Sequence, residues 1–325
     1  MHIGAIYCRQ NLSFKAGKTT LITDFDFTFS PKAFEDKYLP HDVKCYEDIA
    51  NPYFKKFSDL QKKFKDNFKI FISSGRKQDS TRDECSCIFQ NFSKLDKENR
   101  PKIDGVIENN GGSFFNVNEK SDIVVLQVDE KRNEQRNIVR KQLQEKQTGQ
   151  DVAKDLDAYI ALKEAKEKDD LVIVSGDGTN DRSFLNIYSY VDLPKDTKIP
   201  QTIQASENLL KTMPEIKKQI SELPLKIIIM EGDCSKEEYF QHLTKTFPTK
   251  YKTGKQAVKI GENPLFDNVE KSIEEYKTVN KKYANAIKKQ QSSLFKKILL
   301  PCIIVVLAIG AGVSFFLLKN KKDKT

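Results

Sequence analysis

The stretch TTLITDFDFTFS, residues 19–30, places two aspartates one residue apart, directly after an apolar pair and among phenylalanines. Side chains alternate along a strand, so Asp24 and Asp26 would lean the same way and their negative charges would repel each other. The apolar residues before them predict a buried strand. The carboxyl end of that strand would therefore carry two carboxylates whose repulsion something else must offset.

Short apolar runs alternate with helix-length segments rich in Lys, Gln and Glu along most of the chain. This alternation predicts an α/β fold, with βαβ units and a largely parallel sheet flanked by helices. In that architecture, ligands bind at the carboxyl ends of the strands. Besides residues 20–26, the predicted strands are 68–76, 104–112, 122–128, 170–181 and 225–233, and the predicted helices lie near 51–66, 80–95, 131–146, 153–168 and 205–222.

Three of the predicted strands end in residues that can carry chemistry. Asp24 and Asp26 end the first, Ser74 ends the second, and Asp177 with Asp181 ends a later one. If these strand ends are neighbours in the sheet, four carboxylates meet. Such a group needs a cation among its charges, and hard oxygen ligands favour Mg²⁺. The pattern therefore predicts a magnesium site at the carboxyl edge of the sheet.

Four stretches, taken in chain order, resemble the four motifs of the haloacid dehalogenase (HAD) superfamily, and a fifth is similar to its Cof-type and sucrose-phosphatase-like branch. The motif-like stretches are DFDFT (24–28), FISSGR (71–76), Lys154 and GDGTND (176–181), and the branch-specific one is ENNGG (108–112). The resemblance covers residues 17–230. It implies a Rossmann-like core, a small α/β cap insertion and a Mg²⁺-dependent phosphomonoester hydrolase.

The resemblance also implies roles for the carboxylates. Asp24 would be the nucleophile, attacking phosphorus in line and forming an aspartyl-phosphate. Asp26, in its protonated form, would protonate the leaving alkoxide and then activate water. The metal would be held by Asp24, by the backbone carbonyl of Asp26, by Asp177, and through its water shell by Asp181.

The remaining motif residues would bind the phosphate. Ser74 would hydrogen-bond the transferring phosphoryl group, and Lys154 would neutralise the charge that accumulates on its oxygens. The backbone N–H of Gly75 is a further candidate donor, and Asn180 would orient Lys154 or the phosphate. Thr28 is expected to bond within its own turn rather than touch the substrate.

The cap is where this sequence departs from its relatives. Cof-type relatives insert a large α/β cap between the second and third motifs, whereas this chain has only about residues 112–152 there, enough for two strands (113–117 and 123–128) and one helix. A reduced cap implies an open site, which favours a phosphoprotein or a phosphoinositide headgroup as substrate. A sugar-phosphate phosphatase and a phosphotransferase are alternatives. A catalytically inactive, membrane-anchored interaction protein is an alternative from another functional class.

The C-terminal region has a different composition. Residues 298–318 carry no charge, and as a helix they would span roughly 30 Å, the thickness of a hydrocarbon core. They predict a single transmembrane anchor that leaves the catalytic domain, residues 1–262, in the cytoplasm. The Lys/Glu-rich segment 263–297 predicts an amphipathic juxtamembrane helix, and 319–325 forms a basic tail. Residues 263–318 also offer a surface for a homodimer.

The net charge of +9 comes from lysines that are spread along the chain and mixed with acidic residues. No basic stretch is interleaved with stacking aromatics, so nucleic-acid binding is not expected. An anionic membrane surface suits the same surplus of charge. The six cysteines form no CxxC pair and the three histidines lie far apart, which argues against a zinc or histidine-based centre.

Overall fold

The computed structural model describes ten stretches of the chain and several single positions. The stretches are 18–25, 28–30, 43–64, 67–74, 95–108, 113–120, 123–128, 170–178, 224–257 and 262–294, and the single positions are 130, 134, 181, 185, 189, 192, 218 and 220. The chain divides into two units, Met1–Ser272 and Ile273–Thr325. The first unit contains the sheet described below, and the second is described only along a helix, residues 273–294.

Eight strands among the described residues form one sheet in the order β5-β4-β3-β2-β1-β6-β7-β8. The six strands β3, β2, β1, β6, β7 and β8 pair in parallel, and β4 and β5 add antiparallel strands at one edge. The strands are β1 (Thr19–Asp24), β2 (Phe68–Ser73), β3 (Gly105–Glu108), β4 (Ser113–Lys120), β5 (Ile123–Val128), β6 (Leu171–Gly176), β7 (Leu225–Met230) and β8 (Tyr251–Gly254).

The order of the parallel strands creates a topological switch point. From β1 the chain adds β2 and β3 on one side, and then returns to add β6, β7 and β8 on the other. This is a doubly wound arrangement, in which the crevice lies outside the carboxyl ends of the two strands where the direction reverses. Here those strands are β1 and β6. The parallel sheet and its flanking helices fit a Rossmann-like core.

The central strands are buried along their whole length. Every residue of β1 and of β6 is buried, and Leu21, Ile22, Ile173 and Val174 are 0% exposed. Parallel strands that are covered on both faces have continuous apolar sequences, so these two stretches were predictable as strands. The edge strand β8 was missed, because YKTG is short and polar and lacks that signal.

The strands β4 and β5 continue the main sheet. β4 pairs with β3, and β5 pairs with β4, both antiparallel. The sequence analysis assigned these two strands to the reduced cap at 112–152. Most of the rest of that range lies outside the described residues, and the domain boundaries stay predictions.

Helix α1 (Val43–Phe64) covers the sheet with an aromatic cluster. The ring of Phe29, just after the aspartate motif, lies 5.3 Å from that of Phe54 and 5.1 Å from that of Phe57, centroid to centroid. Phe57 in turn packs edge-on against Phe266 at 5.3 Å. Phe29 therefore anchors the turn that follows β1 to helix α1. This helix confirms the one predicted near 51–66; the other predicted helices lie largely outside the described residues.

Within the described part of the chain, two further helices follow β7, namely α2 (Glu238–Thr246) and α3 (Pro264–Leu294). Asn263 caps the start of α3, because its side-chain oxygen accepts the N–H of Phe266 at 3.0 Å. α3 lies within the predicted amphipathic segment 263–297. Among the described residues, no helix combines the length and apolar character needed to cross a membrane. The predicted span 298–318 and tail 319–325 lie outside those residues.

A polar cluster ties β8 to the segment that follows β6. The side chain of Asp192 accepts hydrogen bonds from Lys250 and from the hydroxyl of Tyr251, which is 1% exposed. Burial, and then the neighbouring Asp192 carboxylate, raises the pKa of Tyr251 well above its ordinary value of 10.0. The phenol therefore stays protonated in the folded chain and remains a donor.

We expect Tyr251→Phe to lower the free energy of unfolding by about 1 to 2 kcal/mol at neutral pH, because a buried hydrogen bond to a carboxylate is lost. The folded pKa is raised, so the stabilising contribution of the Tyr251 hydroxyl is complete below about pH 10 and is lost as the pH rises. Urea unfolding at about pH 8 and pH 10.5 measures this. The wild-type chain should lose more stability across that interval than the variant, and equal losses would contradict the assignment.

Candidate active site

Three buried aspartates meet at the switch point of the sheet. Asp24 is the last residue of β1, Asp177 follows directly after β6, and Asp181 lies four residues further on. Each offers a carboxylate oxygen, and these oxygens all lie within 4.8 Å of one another. The side chains are only 6%, 7% and 2% exposed, respectively. The sequence predicts this meeting of strand ends, with Asp26 as a fourth carboxylate that lies outside the described residues.

Asp181 organises the loop that carries Asp177. Its Oδ2 atom accepts the backbone N–H groups of Asp177 and of Gly178, each at 3.0 Å. The loop closes on itself as the N–H of Asp181 donates to the carbonyl of Gly178 at 3.0 Å. One oxygen of Asp181 is therefore engaged by the backbone.

Thr28 connects the first motif to the last. Its hydroxyl donates to Oδ1 of Asp177 at 3.0 Å, and the side chain is buried. The expectation that Thr28 bonds within its own turn was wrong. Backbone bonds already close that turn, from the N–H of Phe29 to the carbonyl of Asp24 and from the N–H of Ser30 to that of Phe25. The hydroxyl is thus available to orient a carboxylate from another strand.

A second set of buried hydrogen bonds, here called a tie, joins β1 to β6 next to the carboxylates. The hydroxyl of Ser175 donates to that of Thr23 at 2.8 Å, and the Thr23 hydroxyl donates to the carbonyl of Asp24 at 2.9 Å. All of these groups are buried. Buried hydroxyls that are paired in a chain fix the relative position of two strands, because breaking the chain leaves a polar group without water. The backbone beneath Asp24 is therefore held in place.

Ser74 lies at the same edge of the sheet. It follows β2 directly, one residue beyond Ser73, which is in register with Asp24, and it is 5% exposed. The structure therefore brings Asp24, Asp177 and Asp181 together and places Ser74 at the end of the adjacent strand. The other predicted site residues, Asp26, Gly75, Lys154 and Asn180, lie outside the described residues, and their roles stay predictions.

The electrostatics of this group favour a divalent cation. Two ionised carboxylates about 5 Å apart repel each other by roughly 3 to 4 kcal/mol at an effective dielectric constant of about 20. Burial removes the water that would otherwise screen them. Three hard oxygen donors on buried strand ends fit Mg²⁺, whose remaining coordination positions are usually filled by water and substrate oxygens. Asp24, Asp177 and Asp181 are therefore the residues that would hold such an ion.

Replacing one carboxylate tests this electrostatic argument. We expect Asp24→Asn to raise the free energy of unfolding of the metal-free chain by about 1 to 3 kcal/mol, because the repulsion within the cluster falls. The same variant should lose most of the stabilisation that Mg²⁺ gives the wild type. Urea unfolding with EDTA and with Mg²⁺ measures both effects. Asp59→Asn, at a half-exposed helix position with ion pairs to Lys55 and Lys62, is the matched control: it should lower the free energy of unfolding by no more than about 0.5 kcal/mol and leave the stabilisation by Mg²⁺ unchanged.

Thr28 provides a second test, of orientation rather than charge. Thr28→Val keeps the shape of the side chain but removes the donor to Asp177, so we expect about a 10-fold weaker affinity for Mg²⁺ in calorimetric titration. Thr28→Ser retains the hydroxyl and should stay close to the wild type. Equal affinities of the Val and Ser variants would show that this hydrogen bond does not orient the ligand.

Comparisons with known proteins give little further guidance. No protein-family model matches the sequence, and no curated protein matches it. Among solved structures, the chain is similar to that of Plasmodium falciparum IMP-nucleotidase, with 12% identity and a TM-score of 0.26, over 75% of this chain and 60% of that one. Likeness at this TM-score carries no argument about activity. The parallel sheet and the buried acidic cluster are themselves compatible with the HAD resemblance.

Proposed function

We propose that this chain is a Mg²⁺-dependent phosphomonoester hydrolase of the HAD type. The observation that carries the proposal is the buried group of Asp24, Asp177 and Asp181 at the switch point, with Ser74 at the end of the neighbouring strand. The four motif-like stretches, in their order along the chain, support the same reaction. The buried carboxylates and the motif-like stretches both support the proposal without the structural likeness to the nucleotidase.

In this proposal the two aspartates of the first motif divide the work. A carboxylate oxygen of Asp24 attacks phosphorus in line as the bond to the leaving oxygen breaks, giving an aspartyl-phosphate and an alcohol. Asp26 gives its proton to the leaving oxygen, and then takes a proton from the water that attacks the aspartyl-phosphate. That second step releases inorganic phosphate and returns Asp24 to its starting form. Mg²⁺, when bound, supplies positive charge beside the nucleophile and the phosphoryl oxygens.

The remaining residues bind and orient the phosphoryl group. Ser74 donates its hydroxyl, Gly75 its backbone N–H, and Lys154 and Asn180 their side-chain N–H groups to the oxygens on which charge builds up. Donors that are fixed before the reaction stabilise this charge without having to reorganise. The buried position of Ser74 is consistent with a fixed donor.

We propose a phosphoprotein or a phosphoinositide headgroup as the substrate. A bulky substrate needs an open site, and the short segment between the second and third motifs limits the size of any lid. The pairing of β4 and β5 with the main sheet supports this, because those strands use part of that segment. A sugar phosphate, which a large cap would normally enclose, is the competing outcome of the experiment below.

We also propose that residues 298–318 anchor the chain in a membrane as a single C-terminal span, with the catalytic domain in the cytoplasm. The support is the uncharged stretch between flanking lysines. The amphipathic segment before it would lie next to the bilayer or pair with a second copy of the chain. An anchor of this kind would hold the site close to lipid headgroups or to membrane proteins.

The test is phosphate release by the full-length chain in mild detergent, with and without Mg²⁺. The panel holds phosphopeptides, phosphoinositides in vesicles and sugar phosphates. We expect Mg²⁺-dependent turnover that falls at least about 1,000-fold in Asp24→Asn and is unchanged in Asp59→Asn. The best substrate on the panel decides between an open site and an enclosed one.

Other outcomes would redirect the proposal. Turnover that rises with an added alcohol and yields a new phosphoester would identify a phosphotransferase. No turnover on any substrate, from a folded chain that binds Mg²⁺, would contradict the hydrolase and favour a membrane-anchored interaction protein.

A further inference from the structure

The loop that follows β7 lies against the loop that carries Asp177. The N–H of Cys234 donates to the carbonyl of Asp177 at 2.8 Å, and the Cys234 thiol donates to the carbonyl of Gly178 at 2.9 Å. Cys234 is 0% exposed and begins a short 3₁₀ turn, Cys234–Lys236. The first N–H groups of such a turn have no partner within it, so Asp177 takes the place of that missing partner.

These contacts hold the Asp177 backbone from both sides. Asp181 accepts the N–H groups of Asp177 and Gly178, while Cys234 donates to the carbonyls of the same two residues. A residue with both backbone groups engaged has little freedom in φ and ψ. The fixed backbone sets the direction of the Cα–Cβ bond and limits the rotamers that the side chain can adopt. For Asp177 this means that the carboxylate is aimed by a loop from a different strand.

Gly232 completes this support by its lack of a side chain. A Cβ atom at this position would lie 2.7 Å from the carbonyl oxygen of Asp177 and 2.8 Å from its Oδ2. Any larger residue at position 232 must therefore displace Asp177 or the loop that carries Gly232. Ser235 keeps Gly232 in place, because its hydroxyl accepts the Gly232 N–H at 3.1 Å and donates to the Gly232 carbonyl at 2.8 Å.

We propose that Gly232 and Cys234 are positioning residues that aim Asp177 at the metal. The inference rests on the proposed function, since it assigns a role within the same site. No motif in the sequence pointed to these residues: the stretch 227–233 reads as another sheet strand. Outer partners of metal ligands typically contribute 10- to 100-fold in metal affinity or activity.

The competing interpretation is that the loop only packs, so that changes there would lower stability without a specific effect on the metal. Gly254 offers a matched control. It lies at the carboxyl end of the next strand, β8, where an added Cβ would contact the Met230 side chain rather than a carboxylate. Gly232→Ala and Gly254→Ala are thus the same substitution at neighbouring strand ends.

The experiment compares these two variants as full-length chains in mild detergent. Calorimetric titration gives the Mg²⁺ dissociation constant, and urea unfolding with EDTA gives the stability of each metal-free variant. We expect the dissociation constant to rise about 10-fold or more in Gly232→Ala and to stay within about twofold of wild type in Gly254→Ala. The Mg²⁺ concentration for half-maximal phosphate release should follow the dissociation constant.

Cys234 supplies an independent arm that does not depend on Gly232→Ala folding. Cys234→Ala removes the buried thiol that donates to Gly178 and keeps the backbone N–H that donates to Asp177, so we expect about a threefold to 10-fold weaker Mg²⁺ affinity. Cys234→Ser restores a hydroxyl donor and should recover most of it. A role in packing alone would make the serine variant no better than alanine, since a hydroxyl fills the space of a thiol poorly.

Each result bears on the inference separately from the proposed function. Wild-type Mg²⁺ affinity in both Gly232→Ala and Cys234→Ala would overturn the inference while leaving the hydrolase intact. Equal losses of Mg²⁺ affinity in Gly232→Ala and Gly254→Ala would also overturn the inference, because the loss would then follow the general loss of stability. A wild-type chain that binds no Mg²⁺ would overturn the proposed function, and this inference with it.

Discussion

Three carboxylates that repel one another are held together at one edge of the sheet, and the surrounding structure depends on how this is done. Asp24, Asp177 and Asp181 offer oxygens within 4.8 Å of one another in a buried setting. Nothing in their own interaction favours that geometry, because like charges at this separation are unfavourable. The free energy must come from elsewhere. It comes from the burial of β1 and β6, because every residue of both strands is buried.

Buried hydrogen bonds around the cluster then fix the positions of these carboxylates. Ser175 and Thr23 join the two central strands, Thr28 orients Asp177 from the first motif, and Cys234 holds the same residue from the far side. Each tie is a buried hydrogen bond, which is costly to break without a replacement partner. Carboxylates fixed in this way would lose little entropy on binding the proposed cation.

The sequence was informative where the physical signal was local. Buried parallel strands are continuous apolar runs, so β1, β6 and β7 were predictable, and the rule that ligands bind at carboxyl ends then brought Asp24 and Asp177 together. The bond from Thr28 to Asp177 was not predictable, because it depends on the register of strands far apart in the chain. The four-residue edge strand β8 has no apolar run, and the support from Gly232 comes from a missing side chain.

The same ties have a consequence for how the chain folds. Thr28 and Asp177 are 149 residues apart, Thr23 and Ser175 are 152 apart, and Cys234 and Gly178 are 56 apart. Contacts of such long range form slowly, because the entropy of closing large loops is lost before the contacts are gained. A nascent chain cannot assemble the cluster until Asp181 has left the ribosome, and the contacts from Cys234 form only later, once the loop after β7 has emerged. If the cluster holds a divalent cation as proposed, that site exists only in the completed fold, and partly synthesised chains would not compete for the cell's magnesium.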